Sequence, residues 1–534
     1  MSLFSYPSRR RETKKSASGK RTSAPRLEAL ESRDLLSTFT VINTSSDPNT
    51  SGSLPWAVQQ ANSSPGLNYI EFNIPGSGIH TINISSTLSL TNQVVIDGTS
   101  QPGYNGTPLI SVQGSANVLD LFELGTNSSD STIQGLDMYD YTGSAVALFG
   151  GSTGDFIQNN WIGFFRDPTT GEVSLNYNLG QDNSSEGIVV SGSNNNVIRN
   201  NVIDGTGSNG ISVVGFGGSA GFVNVIPCVD NSIVANCIGT DPSGSTAVGY
   251  GNQGNGIFLG QACQNTQIAG NVISGNTGNG IQMVLDNSFL HYVFLGDNVI
   301  SGNKIGTDVS GSFAIPNGTG ITIFGAAASN TIDGNTISGN LNVGISLGLA
   351  GFGPGNSNWI QGNIIGLNAS QTAVISPGAY GISINNGSQG NVIQSNVIAG
   401  ASVAGVVLSN ATGNAVNQNW IGQSAYGQGF ANGSYGVELL ASANDNSVLQ
   451  NAFGPNGIGS IYVDPNAVGN ELGYTPQPTL SSIRAQIQQL FGYAVQLVQA
   501  AQTGNASGFV PALQSYVSLY VTVELELLNY LLRI

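Results

Sequence analysis

From residue 155 onward the chain repeats one phrase, Asn-x-Ile followed by a second Asn-x-Ile, as in Asn196-Val-Ile-Arg-Asn-Asn-Val-Ile203 and Asn330-Thr-Ile-Asp-Gly-Asn-Thr-Ile337. The second Asn of each phrase falls at Asn160, Asn201, Asn236, Asn271, Asn303, Asn335, Asn363, Asn396, Asn419 and Asn451, always two residues before an apolar anchor. One Gly followed by Ile or Val stands in every interval, at Gly187, Gly210, Gly256, Gly280, Gly320, Gly344, Gly381, Gly405 and Gly436. From Asn to Gly the spacing alternates between 9 residues and 17 to 27, so the minimal unit is about 23 residues with insertions at fixed points.

A unit of that length holds three short strands and three turns, and no such strand can bury a face alone. Coiling the chain so that equivalent strands stack in parallel, about 4.8 Å apart, gives the Ile and Val columns one continuous core. Stacked Asn side chains then hydrogen-bond along the axis, as amide ladders do in cross-β stacks. Gly is expected to supply positive φ at the corners, where a Cβ would clash. The hexapeptides of a left-handed coil, the roughly 40-residue blades of a propeller and the Gly-Gly-x-Gly-x-Asp repeats of a calcium roll do not match this spacing.

Composition agrees with a large packed core. The 534 residues include 74 Gly and only 8% charged side chains, which excludes a disordered chain and does not suit an ordinary helical enzyme. Nine of the 14 Lys and Arg lie before residue 34, so residues 35–534 carry five basic against 26 acidic residues, a net −21. Such a body repels nucleic acid and other polyanions. Neither a conventional signal peptide nor a run of 18 uncharged apolar residues is present, so no transmembrane span is expected.

Several phrases resemble known families. Ile238-Gly-Thr-Asp241 and Ile305-Gly-Thr-Asp308, each followed by Gly-x-x-Ala, and Val94-Val-Ile-Asp-Gly-Thr-Ser-Gln-Pro-Gly-Tyr104 look like repeats of large bacterial β-helix proteins. Gly52-Ser-Leu-Pro-Trp-Ala-Val-Gln-Gln-Ala-Asn-Ser-Ser-Pro-Gly66 is similar to the helical segment that opens many such chains, with Pro55 and Trp56 replacing the usual Arg-Glu. The resemblance implies an all-β fold, a right-handed parallel β-helix of the pectate-lyase-like kind, over residues 38–474 with an N-terminal cap. Arg26-Leu-Glu-Ala-Leu-Glu-Ser-Arg-Asp-Leu-Leu-Ser37 resembles an N-terminal motif of exported planctomycete proteins, which implies a secreted or cell-surface location. Residues 1–37 read as a disordered basic leader.

After Pro476 and Pro478 the pattern changes. Ile483, Ile487, Leu490, Ala494 and Leu497 recur at helical spacing, Thr503 to Ser507 reads as a turn, and a second apolar helix follows Pro511. Residues 475–534 are therefore expected to form a C-terminal α-helical hairpin that docks on the β-helix or on a partner. Glu524 and Glu526 argue against membrane insertion.

Chemistry-bearing residues are few. Pectate lyases bind calcium through clustered carboxylates and use a basic residue to abstract a proton, so the resemblance implies calcium as the cofactor if there is one. The residues themselves point to no cofactor and no metal site. Lys304, directly after Asn303, should point outward, and Arg199 has Asp204 nearby for an ordinary ion pair. Asp241 and Asp308 occupy equivalent turns two coils apart, where Asp commonly caps its own backbone. These four are the candidate catalytic residues.

Aromatic insertions follow alternate Gly-Ile strands: Phe216 and Phe222; Phe289, His291, Tyr292 and Phe294; and Phe352. They are expected to emerge from one side as a row that stacks on successive sugar rings. Packing beneath their own loops is the alternative. Cys228 and Cys263 should be neighbours in adjacent coils, able to bridge in an oxidising compartment or to remain stacked thiols, with Cys237 free in the core. The expected function is a non-catalytic exported β-helix in surface structure, adhesion or polysaccharide binding, with a polysaccharide or envelope component as partner. The alternative is a polysaccharide lyase or glycoside hydrolase acting on the side of the coil.

Overall fold

From Asn68 to Val463 each coil of the chain contributes one short strand to each of three sheets, because two- to six-residue apolar stretches alternate with residues that hold left-handed backbone. This computed structural model describes residues 36–166, 173–174, 185–216, 225–247, 251–285, 294–325 and 327–473, together with Ile487, Leu490, Ala494 and Tyr520. The sheets hold fifteen, thirteen and thirteen strands, and neighbouring strands within them pair in parallel. The result is a right-handed parallel β-helix.

One coil illustrates the pattern. Val299–Ser301 lies in the first sheet, Lys304–Ile305 in the second and Thr319–Phe324 in the third. Inward residues stack in register: Ile268 on Ile300 on Ile332, and Ile273 on Ile305 on Ile337, all without solvent exposure. Each buried Ile contributes roughly 1.5–3 kcal/mol of transfer free energy.

The corner between the first and second sheets is two residues long in every coil from Phe156 on. Its first residue has positive φ, whether Asn200 (54°), Gly302 (64°) or Ser395 (55°), and its second is the Asn of the ladder. This corrects the expectation for the glycines that precede Ile or Val, which do not have positive φ. They are glycine because a Cβ on Gly280 would stand 2.7 Å from the Gly320 carbonyl oxygen, and one on Gly320 2.4 Å from that of Gly344. Close approach between coils, not backbone handedness, excludes larger residues there.

The N-terminal end is sealed. Strand Ser37–Val41 pairs with Asn68–Phe72, and helix Leu54–Ser63 buries Leu54, Ala57, Val58 and Ala61 against the first coils. Ser53 caps that helix, its hydroxyl accepting from the Trp56 backbone N–H at 3.2 Å. Among the described residues no helix is long and apolar enough to cross a membrane. The basic leader (residues 1–37) lies outside the described residues up to Leu35. Of the C-terminal hairpin, Ile487, Leu490, Ala494 and Tyr520 are helical and the remainder lies outside them.

Candidate functional site

The ten ladder asparagines form one buried file. Asn271 donates its backbone N–H and its Nδ2–H to Asn303 Oδ1, both at 2.9 Å, and Asn303 does the same to Asn335 at 2.9 Å. These side chains are saturated and serve the coil alone. A ligand must be met on the outside, where the three sheets differ.

The outer face of the second sheet is covered by its own long turns, so Val272, Thr336 and Val397 are buried although they point away from the core. Among the described residues the first sheet has no such cover over its middle coils. Gln267 is exposed, Val299 is 38% exposed and Trp359 47%. Short flat strands here present polar groups in files: Gln158 Nε2 donates to Gln134 Oε1 at 2.6 Å, and Gln394 Nε2 to Gln361 Oε1 at 3.3 Å. Arg199 lies in the same file, its Nε donating to Gln158 Oε1 at 2.7 Å while the guanidinium rests 5.5 Å from the Phe156 ring centre. The expected ion pair of Arg199 with Asp204 is not made. Asp204 is fully buried, accepts from the backbone N–H of Gly205 and Gly251, and is pushed up to about 7 by burial.

The aromatic insertions fringe this face. Phe216 (48% exposed), Phe294 (39%) and Phe352 (56%) follow strands Ile211–Val214, Asn279–Val284 and Val343–Leu347 of the third sheet, where the chain turns back to the first. One strand intervenes between each pair of those strands, so the insertions recur every two coils, about 10 Å apart. Phe216 is held by backbone pairing with Ile226 at 2.8 and 2.7 Å, and Phe352 packs on Phe324 with ring centres 5.4 Å apart. Phe222, Phe289, His291 and Tyr292 lie outside the described residues.

The remaining candidates are structural. Asp241 Oδ1 accepts from the N–H of Ser245 and Thr246 at 2.8 and 2.9 Å, and Asp308 Oδ1 from Ser312 and Phe313 at 2.7 and 2.9 Å. Burial raises both carboxyls, but these bonds and those from Ser243 and Ser310 outweigh it and hold them below the usual range. Lys304 points outward, half-buried beneath the 308–313 turn; its Nζ donates to Thr336 Oγ1 at 3.3 Å, and burial lowers its pKa against the pull of Asp308. Cys228 and Cys263 are paired neighbours in register, and both are free thiols whose Sγ atoms donate to the Val214 and Val213 carbonyls. Cys237 is free but is not a core residue. It occupies the outward position after Asn236, since Ile238 takes the inward one, and burial under the following turn raises its thiol to about 11.

One cluster was not foreseen. Ser111, Asp137 and Trp161 stack in register on the outside of the second sheet, beneath a strand pair formed by Phe165–Arg166 and Val173–Ser174. Asp137 accepts from the Ser111 hydroxyl at 2.8 Å and is raised to about 7 by burial, which Ser111 and Arg166 only partly oppose. The Arg166 guanidinium lies 5.0 Å from the Trp161 ring centre and donates to the Pro108 carbonyl. Asp137 has no solvent exposure and Arg166 has 8%, so in this arrangement neither touches a polymer. The repeat phrase is degenerate before residue 155, and Asp137 escaped notice although it shares an outward file with Lys304. Among the described residues no three His, Cys, Asp or Glu side chains group to hold a metal ion.

Residues 246–377, about a quarter of the chain, match the model of a family described as a protein of unknown function, DUF1565. No curated protein matches the sequence. The A-module of Azotobacter vinelandii mannuronan C-5 epimerase AlgE6 is a similar solved structure, at 15% identity over 79% of this chain and 94% of that one, with a TM-score of 0.46. The periplasmic alginate epimerase AlgG is similar at 14% identity over 69% of this chain and 78% of its own, with a TM-score of 0.46. The catalytic unit of a GH87 alpha-1,3-glucanase from Streptomyces thermodiastaticus strain HF3-3 is similar at 13% identity over 81% and 68%, with a TM-score of 0.42.

Proposed function

We propose that this chain is an exported, cell-surface β-helix that binds an extended neutral polysaccharide along the open face of its first sheet, without transforming it. The observation that carries the reading is the exposed aromatic fringe of Phe216, Phe294 and Phe352 beside a flat face of amides, Arg199 and Trp359. Planar apolar rings cover the C–H faces of sugar rings, while amide donors and acceptors match their hydroxyls. A regular polymer suits a regular face: groups recurring every two coils meet successive segments of one chain.

Charge decides the class of polymer. With −21 on residues 35–534 an anionic chain would be repelled along its whole length, whereas a neutral one is not. Export rests on the Arg26–Ser37 motif. The enzymatic reading is favoured by one observation, the Asp137 carboxyl poised near 7, and it requires that Asp137 be uncovered.

Retention of the full chain on immobilised neutral and acidic polysaccharides tests the proposal. Binding to at least one neutral polymer is expected, with Trp359→Ala and Phe352→Ala each weakening it about five- to thirtyfold, the loss of roughly 1–2 kcal/mol of burial. Reducing ends and unsaturated products should stay at background. Absence of retention on every neutral polymer, or retention indifferent to both substitutions, contradicts the binding reading; released product that depends on Asp137 supports the enzymatic one.

A further inference from the structure

The two ends of the coil are finished differently. At the N-terminal end the helix Leu54–Ser63 lies over the core. At the other end the last strands, Ala452–Phe453, Gly459–Val463 and Glu471–Leu472, each terminate a sheet among the described residues. Their inward residues are less covered than those of the coil before. Leu472 pairs in register with Val448, which has no exposure, yet Leu472 is 46% exposed. Ile461 and Val463 are half-buried where Val437 and Leu439 are fully buried, and Phe453 stands likewise above Ile421. An apolar cross-section bordered by three strand edges that no other described residue pairs is a template for association unless something covers it.

We propose that residues 474–534 close this end, laying the helical face that carries Ile487, Leu490 and Ala494 over Phe453, Ile461, Val463 and Leu472. Three observations support that occupant. The segment starts at the open end, directly after Gly473, and its 61 residues are ample to cross it. Ile487, Leu490 and Ala494 are helical, three and four residues apart, hence on one face, and all three are half-buried. Charge disfavours a second copy, because Asp464 and Glu471 would meet Asp464 and Glu471 of an identical end, whereas residues 474–534 balance Arg484 and Arg533 against Glu524 and Glu526.

The test is hydrogen exchange on the full chain carrying Ile487→Asp and Leu490→Asp together. Amides of residues 459–463 and 471–472 should exchange at least tenfold faster, with those of residues 186–191 unchanged. Light scattering should show the variant, and a chain ending at Gly473, associating as concentration rises while the unaltered chain stays monomeric. Unchanged exchange in the last coil would overturn the proposal. So would a monomeric chain ending at Gly473 with the protection of the full chain, or an unaltered chain that dimerises and protects those amides through its partner.

Discussion

Of the asparagine files that run along the inside of this coil, two flank the first-sheet strands, one at their start and one at their end, and they tolerate variation differently. The file from Asn160 to Asn451 is unbroken, with rung bonds of 2.8–3.2 Å throughout. The other runs from Asn196 through Asn231 to Asn298, Asn330 and on to Asn470, but Thr266 replaces the amide between Asn231 and Asn298, and its buried hydroxyl makes no hydrogen bond. Asp155 precedes Asn196 at the head of that file.

The corners explain the difference. Between the first and second sheets every coil from Phe156 on spends the same two residues, so each rung meets an identical neighbour and needs the same side chain. The second file ends the turn from the third sheet, whose length changes with the aromatic insertions, and a local defect there is absorbed without shifting the coil. Where the backbone path is constant, the side chain is fixed by its stacked copies; where the path varies, it is not.

The largest effect should come from Asn303→Ala in the whole file. It removes the acceptor for both Asn271 donors and the donor to the Ile268 carbonyl, leaving several buried groups unpaired. A loss of about 3–5 kcal/mol is expected in urea unfolding. Asn298→Ala, beside the existing gap at Thr266, should cost about 1 kcal/mol less. Equal costs would mean that the two files are equally rigid.

Next in size is the pH dependence set by Asp155, whose carboxyl is raised to about 6 by burial, against hydrogen bonds from Ser152 and Ser131. Because the folded state holds the proton more tightly than the unfolded state, this group's stabilising contribution is complete below about pH 4. It is lost as pH rises through about 6. Asp155→Asn should flatten that part of the stability profile, a change on the order of 2 kcal/mol. A slope persisting to about 7 would belong to Asp137 and Asp204. An unchanged profile between pH 4 and 6 would remove Asp155 from the account.

Repairing the broken file should stabilise it. Thr266→Asn restores the missing rung and is expected to add about 1 kcal/mol, read as a higher urea midpoint. Destabilisation instead would show that the coil around Cys263 has closed on the smaller side chain. The smallest effect concerns the left-handed residue before each rung. Gly302→Ala meets nothing within 4 Å, so its cost of about 1 kcal/mol is purely backbone, while Ser395→Gly should gain a few tenths to about 1.

The stacked coil and the ten-rung file were legible because each repeats a contact between identical residues at a fixed spacing, and the capping helix because Gly52–Gly66 resembles the segment that opens many β-helix chains. The second file is half-visible in the doubled phrase, and the variable turns before it disguise its register. Asp137 and the left-handed Ala235 or Gln418 were illegible for a different reason. Their conformations are imposed by the coils above and below, and nothing in their own residue types announces it. Asp241 and Asp308 were readable as turn caps from Asp-x-x-Gly alone, because that geometry is local. The pairing of Arg199 was not, since its partner Gln158 lies one coil away across a long insertion.

Side-chain hydrogen exchange on asparagine-labelled protein tests the central claim most directly. The carboxamide protons of Asn271, Asn303 and Asn335 should be protected for hours or longer while those of exposed Asn49 exchange within the dead time. Exchange of all four at the same fast rate would contradict a buried asparagine file and the stacking that depends on it.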